Sequence, residues 1–127
     1  MQKIDFAKGD GIVPVIVQDY RSREVLMLAY MNREAWQKTQ KTGKAHYYSR
    51  SRQKIWLKGE ESGHFQEVKN ALIDCDNDTL LLLVRQLGGG ACHMGYRSCF
   101  FRKKAKQDWQ IVGKKTFKPE EVYTRKG

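Results

Sequence analysis

Short apolar runs separated by polar turns run through most of the chain, and they predict a molecule built chiefly from strands. Ile12 to Val17 is apolar and β-branched, with Pro14 near its start, and reads as a strand. Val25 to Tyr30 reads as a second, after the polar turn Asp19 to Arg23. Asn32 then supplies a helix N-cap, Glu34 favours the positive helix end, Ala35, Trp36 and Thr39 follow helical spacing, and Gly43 is a C-terminal stop. Lys44 to Arg50 and Lys54 to Lys58 predict short strands around an Arg-Ser-Arg turn, and Gly59 to Gly63 predicts a loop. Phe65 to Cys75 alternates imperfectly but favours a strand. Leu80 to Val84 is a continuous apolar run, too short for an independent helix and suited to a strand buried on both faces. Gly88-Gly89-Gly90 breaks it. Ser98 to Lys103 predicts another strand, Trp109 to Val112 a weaker one, and the remainder a loop or a short final element. Many strands and one clear helix predict the α+β class, mostly β.

The length of 127 residues predicts one domain over 1–127, with no role assigned to the basic segment 105–127. No apolar run approaches the ~20 residues of a membrane span, and the start resembles no secretory signal. The expectation is a soluble, cytoplasmic protein with no membrane partner. Net charge is +10 and uneven: from Arg97 onward ten Lys and Arg face three carboxylates. Such a field attracts anions, either a phosphorylated small molecule or a nucleic acid, or it serves only solubility.

The chemistry-bearing residues gather in one segment. Asp74-Cys75-Asp76-Asn77-Asp78, Cys92-His93 and Ser98-Cys99 hold all three cysteines of the chain. An odd cysteine count argues against a purely disulfide framework, and clustered cysteines in a reducing compartment are more often metal ligands or catalytic than small buried side chains. Thiolates select zinc, whereas clustered carboxylates select magnesium, calcium or manganese. If Asp74 to Asp78 is extended, Asp74, Asp76 and Asp78 share one face and Cys75 points to the other. Three carboxylates on one face repel unless a cation such as magnesium joins them; a turn or capping cluster is the plainer alternative. An EF-hand is excluded, because Thr79 and Arg85 stand where its loop needs glycine and glutamate. Cys75 is free to join Cys92 and Cys99 around zinc, and three ligands leave a fourth position for water, the pattern of a catalytic site. Zinc makes hydroxide available at neutral pH. His93 either closes the site as a fourth ligand or acts as a general acid/base, and the second reading ranks higher.

Asp74-Cys75-Asp76-Asn77-Asp78-Thr79-Leu80-Leu81-Leu82, Ala91-Cys92-His93-Met94-Gly95 and Arg97-Ser98-Cys99-Phe100 closely resemble the signature of phosphoribosyl-AMP cyclohydrolases, the ring-opening enzymes of histidine biosynthesis. Met27 to Asn32, Tyr48 to Arg52, Trp56 to Glu60 and Ser62 to Gln66 match the same family, so the resemblance runs from about residue 12 to 104. It implies an intertwined homodimer with zinc at the subunit interface, where Cys75 of one chain meets Cys92 and Cys99 of the other, and magnesium on Asp74, Asp76 and Asp78. Two positions depart from the family pattern. Met94 stands where threonine is usual, and the Gln86–Cys92 loop is one residue longer than the commonest form.

The implied reaction is hydrolysis of the N1–C6 bond of the adenine ring of phosphoribosyl-AMP. His93 or His64 would move the proton, while His46, beside Tyr47 and Tyr48, reads as structural. Arg50, Arg52, Lys54, Lys58 and Arg97 are candidates for the two substrate phosphates, since arginine forks suit phosphate oxygens. Gly88 to Gly90 either offer backbone N–H groups to a phosphate or form a flexible turn. Two rivals are weaker. A zinc-dependent nucleic-acid module would use the charge and the tryptophans, but the aspartates repel phosphate and no binding motif is present. A zinc deaminase lacks its His-x-Glu and Pro-Cys-x-x-Cys pair. No nucleic-acid partner is expected.

Overall fold

The structure is a computed structural model that describes residues 3–123. Its main sheet has four strands: β1 (Ile12–Asp19), β2 (Val25–Asn32), β5 (Gln66–Ile73) and β6 (Leu80–Gln86), ordered β2-β1-β6-β5. The inner pair β1–β6 is parallel, and each edge strand pairs antiparallel with its inner neighbour. β1 alternates strictly, and Val13, Val15 and Val17 are fully buried, so one face of a half-apolar strand supplies the core. Pro14 is tolerated in this inner strand because the β6 ladder begins only at Val15, where Leu80 is its partner. β6 is buried along most of its length, as expected of a central strand.

Helix α1 (Arg33–Thr42) starts where Asn32 Oδ1 accepts from the Ala35 N–H at 2.8 Å, and it ends at Gly43 in the left-handed region. It buries Ala35 and Thr39. The Thr39 hydroxyl accepts from the His46 N–H at 2.9 Å, which joins the helix to β3 (His46–Ser49). β3 pairs with β4 (Lys54–Leu57), and Tyr47 is fully buried with its ring 5.3 Å from that of Trp56. A buried polar chain links this hairpin to the main sheet. The Tyr47 hydroxyl donates to Gln66 Oε1 at 2.5 Å, and Gln66 Nε2 donates to Gln86 Oε1 at 2.8 Å. Each partner satisfies another, which is the condition for tolerating such groups in a core. The chain then forms a small hairpin, β7 (Arg102–Lys104) with β8 (Trp109–Ile111), and a short helix α2 (Pro119–Tyr123).

The mostly-β, one-clear-helix expectation matches this architecture, and two local expectations do not. Asp74 to Asp78 is a tight turn between β5 and β6, with Asn77 in the left-handed region at φ 63°, rather than an extended run. Two strands that pair antiparallel across a short connection must reverse there, and the aspartates and Asn77 suit the turn. Ser98 to Phe101 is irregular, and strand begins only at Arg102. The Ser98 hydroxyl donates to Val25 O at 2.7 Å and the Cys99 N–H to Leu26 O at 2.7 Å, so this segment is held to β2 by scattered bonds without a ladder. Among the described residues, no helix is long and apolar enough to cross a membrane.

Candidate metal centre

The Asp turn gathers its carboxylates by folding back, not by strand alternation. One ligand oxygen from each of Asp74, Asp76 and Asp78 lies within 4.8 Å of the others. Asp74 Oδ1 accepts the N–H groups of Asp78 and Thr79 at 3.1 and 3.3 Å. Slight desolvation acts to raise the Asp74 pKa, but these two N–H donors outweigh it and hold the carboxyl below its ordinary value. The charged form is therefore kept. Lys8 partly offsets the cluster: its Nζ donates to Asp76 O at 2.9 Å and lies 3.9 Å from Asp78 Oδ2. Clustered oxygens of this kind suit a hard divalent cation that retains waters.

Cys92 lies in the tight turn Cys92–Tyr96, closed by the Cys92 N–H on Tyr96 O at 3.1 Å and the Gly95 N–H on Cys92 O at 3.1 Å. The thiol is buried and its Sγ accepts the Met94 N–H at 3.5 Å. Cys99 comes within hydrogen-bonding reach of Cys92. Cys99 is exposed as a residue, yet desolvation at the thiol, followed by the repulsion of Cys92, pushes its pKa up to about 11, against the pull of Lys58. Two adjacent sulfurs that resist ionising together are a donor set that a thiophilic dication would stabilise as thiolates. Cys75 is exposed in the Asp turn. Among the described residues, the three aspartates are the one set of three or more His, Cys, Asp or Glu near enough to share an ion. Within one chain, then, neither Cys75 nor His93 joins the Cys92–Cys99 pair.

Cys99 opens on a cavity of about 400 Å³ whose lining includes Ser49, Arg52, Lys54, Lys58 and His93, with Cys92 buried behind it. Lys58 is buried, and its Nζ donates to Ala91 O at 2.7 Å. Burial lowers its pKa, and Cys99 and Cys92 act the other way. His93 is exposed at the cavity wall. His64 lies behind the glycine turn and not on that wall. Its Nδ1 is buried without a hydrogen-bond partner among the described residues. Desolvation, opposed by a backbone contact at Gly90 and reinforced by Lys58, lowers its pKa. His46 Nδ1 is engaged with Lys44 O at 2.9 Å, in keeping with a structural role.

The basic candidates separate. Arg52 and Lys58 reach the cavity, and Lys54 joins them. Arg50 stacks over the Tyr30 ring at 3.9 Å, in a neighbouring depression. Arg97 is committed elsewhere, to Asp19 Oδ1 at 2.7 Å and Glu24 Oε1 at 2.9 Å. The glycine turn serves close packing. A Cβ on Gly88, which has φ +74°, would run into the His64 ring. The sequence predicts for Gly113 to Lys118 only a loop or a short final element, with no site role. Phe117, the single aromatic in a basic stretch, was the available signal: its ring meets His64 edge-on with centroids 4.6 Å apart.

The phosphoribosyl-AMP cyclohydrolase family model matches residues 27–101. The chain is 56% identical to the phosphoribosyl-AMP cyclohydrolase of Desulforapulum autotrophicum over 97% of this chain and 99% of that protein. It is 62% identical to that of Methanosarcina mazei, over 90% of this chain and 92% of the relative. It is 56% identical to that of Methanoregula boonei, over 100% and 99% of the two. With a family match that includes both Cys92 and Cys99 and the Asp turn, and with relatives aligned nearly end to end, the chain belongs to the phosphoribosyl-AMP cyclohydrolase family, hydrolases acting on a cyclic C–N bond.

Proposed function

We propose that this protein catalyses the hydrolytic opening of the N1–C6 bond of 1-(5-phosphoribosyl)-AMP in histidine biosynthesis, as a cytoplasmic, zinc-dependent homodimer. The observation that carries the reading is the Cys92–Cys99 thiol pair, with Cys99 at the wall of a cavity that Arg52, Lys54, Lys58 and His93 also line. Two thiols make an incomplete zinc set, and Cys75, exposed and remote from them within the chain, is the donor that a second copy would bring. Zinc bound there supplies a water activated at neutral pH.

The chain's own residues do the rest. Arg52 and Lys54 present cationic heads to the cavity, where they hold substrate phosphate. His93, at the wall and outside the thiol pair, is placed to carry the proton required at the departing ring nitrogen. His64 is close enough to the buried Lys58 to feel its charge and supports the wall from behind. Lys58 balances the negative charge that thiolates bring into a buried place. Asp74, Asp76 and Asp78 hold magnesium, which organises either the substrate phosphates or the site.

Ring opening of phosphoribosyl-AMP, followed by ultraviolet absorbance with zinc and magnesium measured on the same sample, tests the reading. Turnover that vanishes on zinc removal and returns on zinc addition supports it. A folded, zinc-loaded dimer without turnover would refute the assigned substrate, and full activity without zinc would refute the metal.

A further inference from the structure

The segment Gly113 to Lys118 lies beyond the part of the chain that the family model matches, yet it is bound to both loops that carry the centre. The Thr116 N–H donates to Gly95 O at 2.7 Å, at the end of the turn that holds Cys92. The Thr116 hydroxyl donates to Gly89 O in the glycine turn. Tyr96 and Lys115 form an isolated antiparallel bridge. Phe117 then sits on the glycine turn. A Cβ on Gly89 would meet its Cδ1 at 2.7 Å, and a Cβ on Gly95, at φ +99°, would meet its carbonyl oxygen at 2.7 Å. Its ring lies edge-on to His64, 4.6 Å away and tilted 87°.

One strap thus crosses the Cys92 turn, the glycine turn and His64 together. The Cys92–Tyr96 turn is held at its ends by the Ala91 N–H on Arg97 O at 2.9 Å and by Tyr96 stacked on Phe101, while His93 and Met94 at its tip are exposed; the strap adds the contacts at Gly95 and the glycine turn. A ligand in such a turn keeps its direction only if the surrounding shell is fixed. We propose that Thr116 and Phe117 are positioning residues that hold the Cys92 sulfur in its metal-binding orientation, with Phe117 acting through its packing on Gly89 and Thr116 through its hydroxyl on Gly89 O. This rests on the reading of Cys92 and Cys99 as zinc ligands. The role is one of orientation, so its signature is metal geometry and affinity and not merely stability.

The test uses the full-length protein with cobalt or zinc as the probe. Phe117→Ala and Thr116→Val are compared with wild type for zinc affinity by chelator competition, for the thiolate-to-cobalt absorption of the cobalt-loaded protein, and for thermal unfolding. Phe117→Tyr, which keeps the aromatic edge, serves as the rescue. The expected result is about a tenfold or greater loss of zinc affinity in both variants, with a shifted cobalt spectrum, and near-wild-type behaviour in Phe117→Tyr. Unchanged affinity and spectrum in Phe117→Ala would overturn the strap while leaving the zinc site standing. A loss that Phe117→Tyr does not rescue, in step with lowered unfolding temperature, would reduce the strap to a folding role and overturn the proposal too. A wild-type protein with no thiolate-to-cobalt band would overturn the zinc reading itself, and the strap with it.

Discussion

Lys58 donates from its ammonium to the carbonyl of Ala91 at 2.7 Å, from a side chain buried next to the Cys92 and Cys99 thiols. One buried charge thereby fixes the residue before Cys92 and faces the sulfurs that a dication would ionise. Replacing it by Lys58→Met keeps the length and removes the charge. The Ala91 carbonyl would lose a charge-assisted bond, and the thiolates their balancing cation. Zinc affinity should fall about ten- to a hundredfold, as for other residues that support metal ligands. Chelator competition on the purified variant measures this; wild-type affinity would show that Lys58 has no electrostatic part in the centre.

The separation of Cys75 from the other two thiols predicts a complementation. Cys75→Ala and Cys92→Ala should each be inactive alone. If each site takes Cys75 from one chain and Cys92 and Cys99 from the other, a mixed dimer keeps one intact site. Random exchange at equal amounts should then recover about a quarter of wild-type sites, because half the dimers are mixed and each mixed dimer is half active. Activity that stays at zero after proven subunit exchange would place all three cysteines within one chain, and single variants that keep full activity would place them outside the mechanism.

Asp19 anchors the segment that bears Cys99. Its Oδ1 binds Arg97 at 2.7 Å, and its Oδ2 accepts the N–H groups of Arg21 and Ser22 at 2.9 and 2.7 Å. Desolvation would raise its pKa, but the Ser22 and Arg21 N–H groups, with Arg97, outweigh it and hold the carboxyl below the ordinary value. A depressed folded pKa means that the contribution is full above the unfolded value, about 3.9, and is lost as pH falls through the folded one. Asp19→Asn should cost about 1–3 kcal/mol at neutral pH, toward the lower end because Arg97 is partly solvated. The difference from wild type should shrink as the pH is lowered below about 4. Denaturant unfolding at a series of pH values checks this, and a difference independent of pH would assign the effect to packing.

Gly88→Ala places a methyl against the His64 ring at a backbone angle that disfavours any side chain. The strain alone is worth about 1–3 kcal/mol, and relief requires His64 to move. Unfolding temperature should fall, and the His64 ring resonances should shift. A variant with wild-type stability and unshifted His64 signals would mean that the turn yields without disturbing the ring.

Local pattern determined a good part of this protein. The alternation of Val13, Val15 and Val17, the unbroken Leu80–Val84 run, and the Asn32 and Gly43 caps fixed the inner strands and the helix, because each rests on contacts a few residues apart or on one buried face. The residue types of the Asp turn and of Cys92 and Cys99 marked a candidate metal centre, because ligand chemistry follows from side-chain identity. Tertiary structure alone decided the rest. Asp74 to Asp78 turns because β5 must reverse to pair with β6, so the carboxylates converge by a bend that period-2 reading could not supply. Ser98 to Phe101 gives up a ladder for bonds to β2, some seventy residues away in sequence. Arg97 pairs with Asp19 and Glu24, and Phe117 is brought onto His64 from the far side of the β7–β8 hairpin. Those choices depend on which distant groups are left unpaired once the sheet has closed, and no window along the chain contains that information.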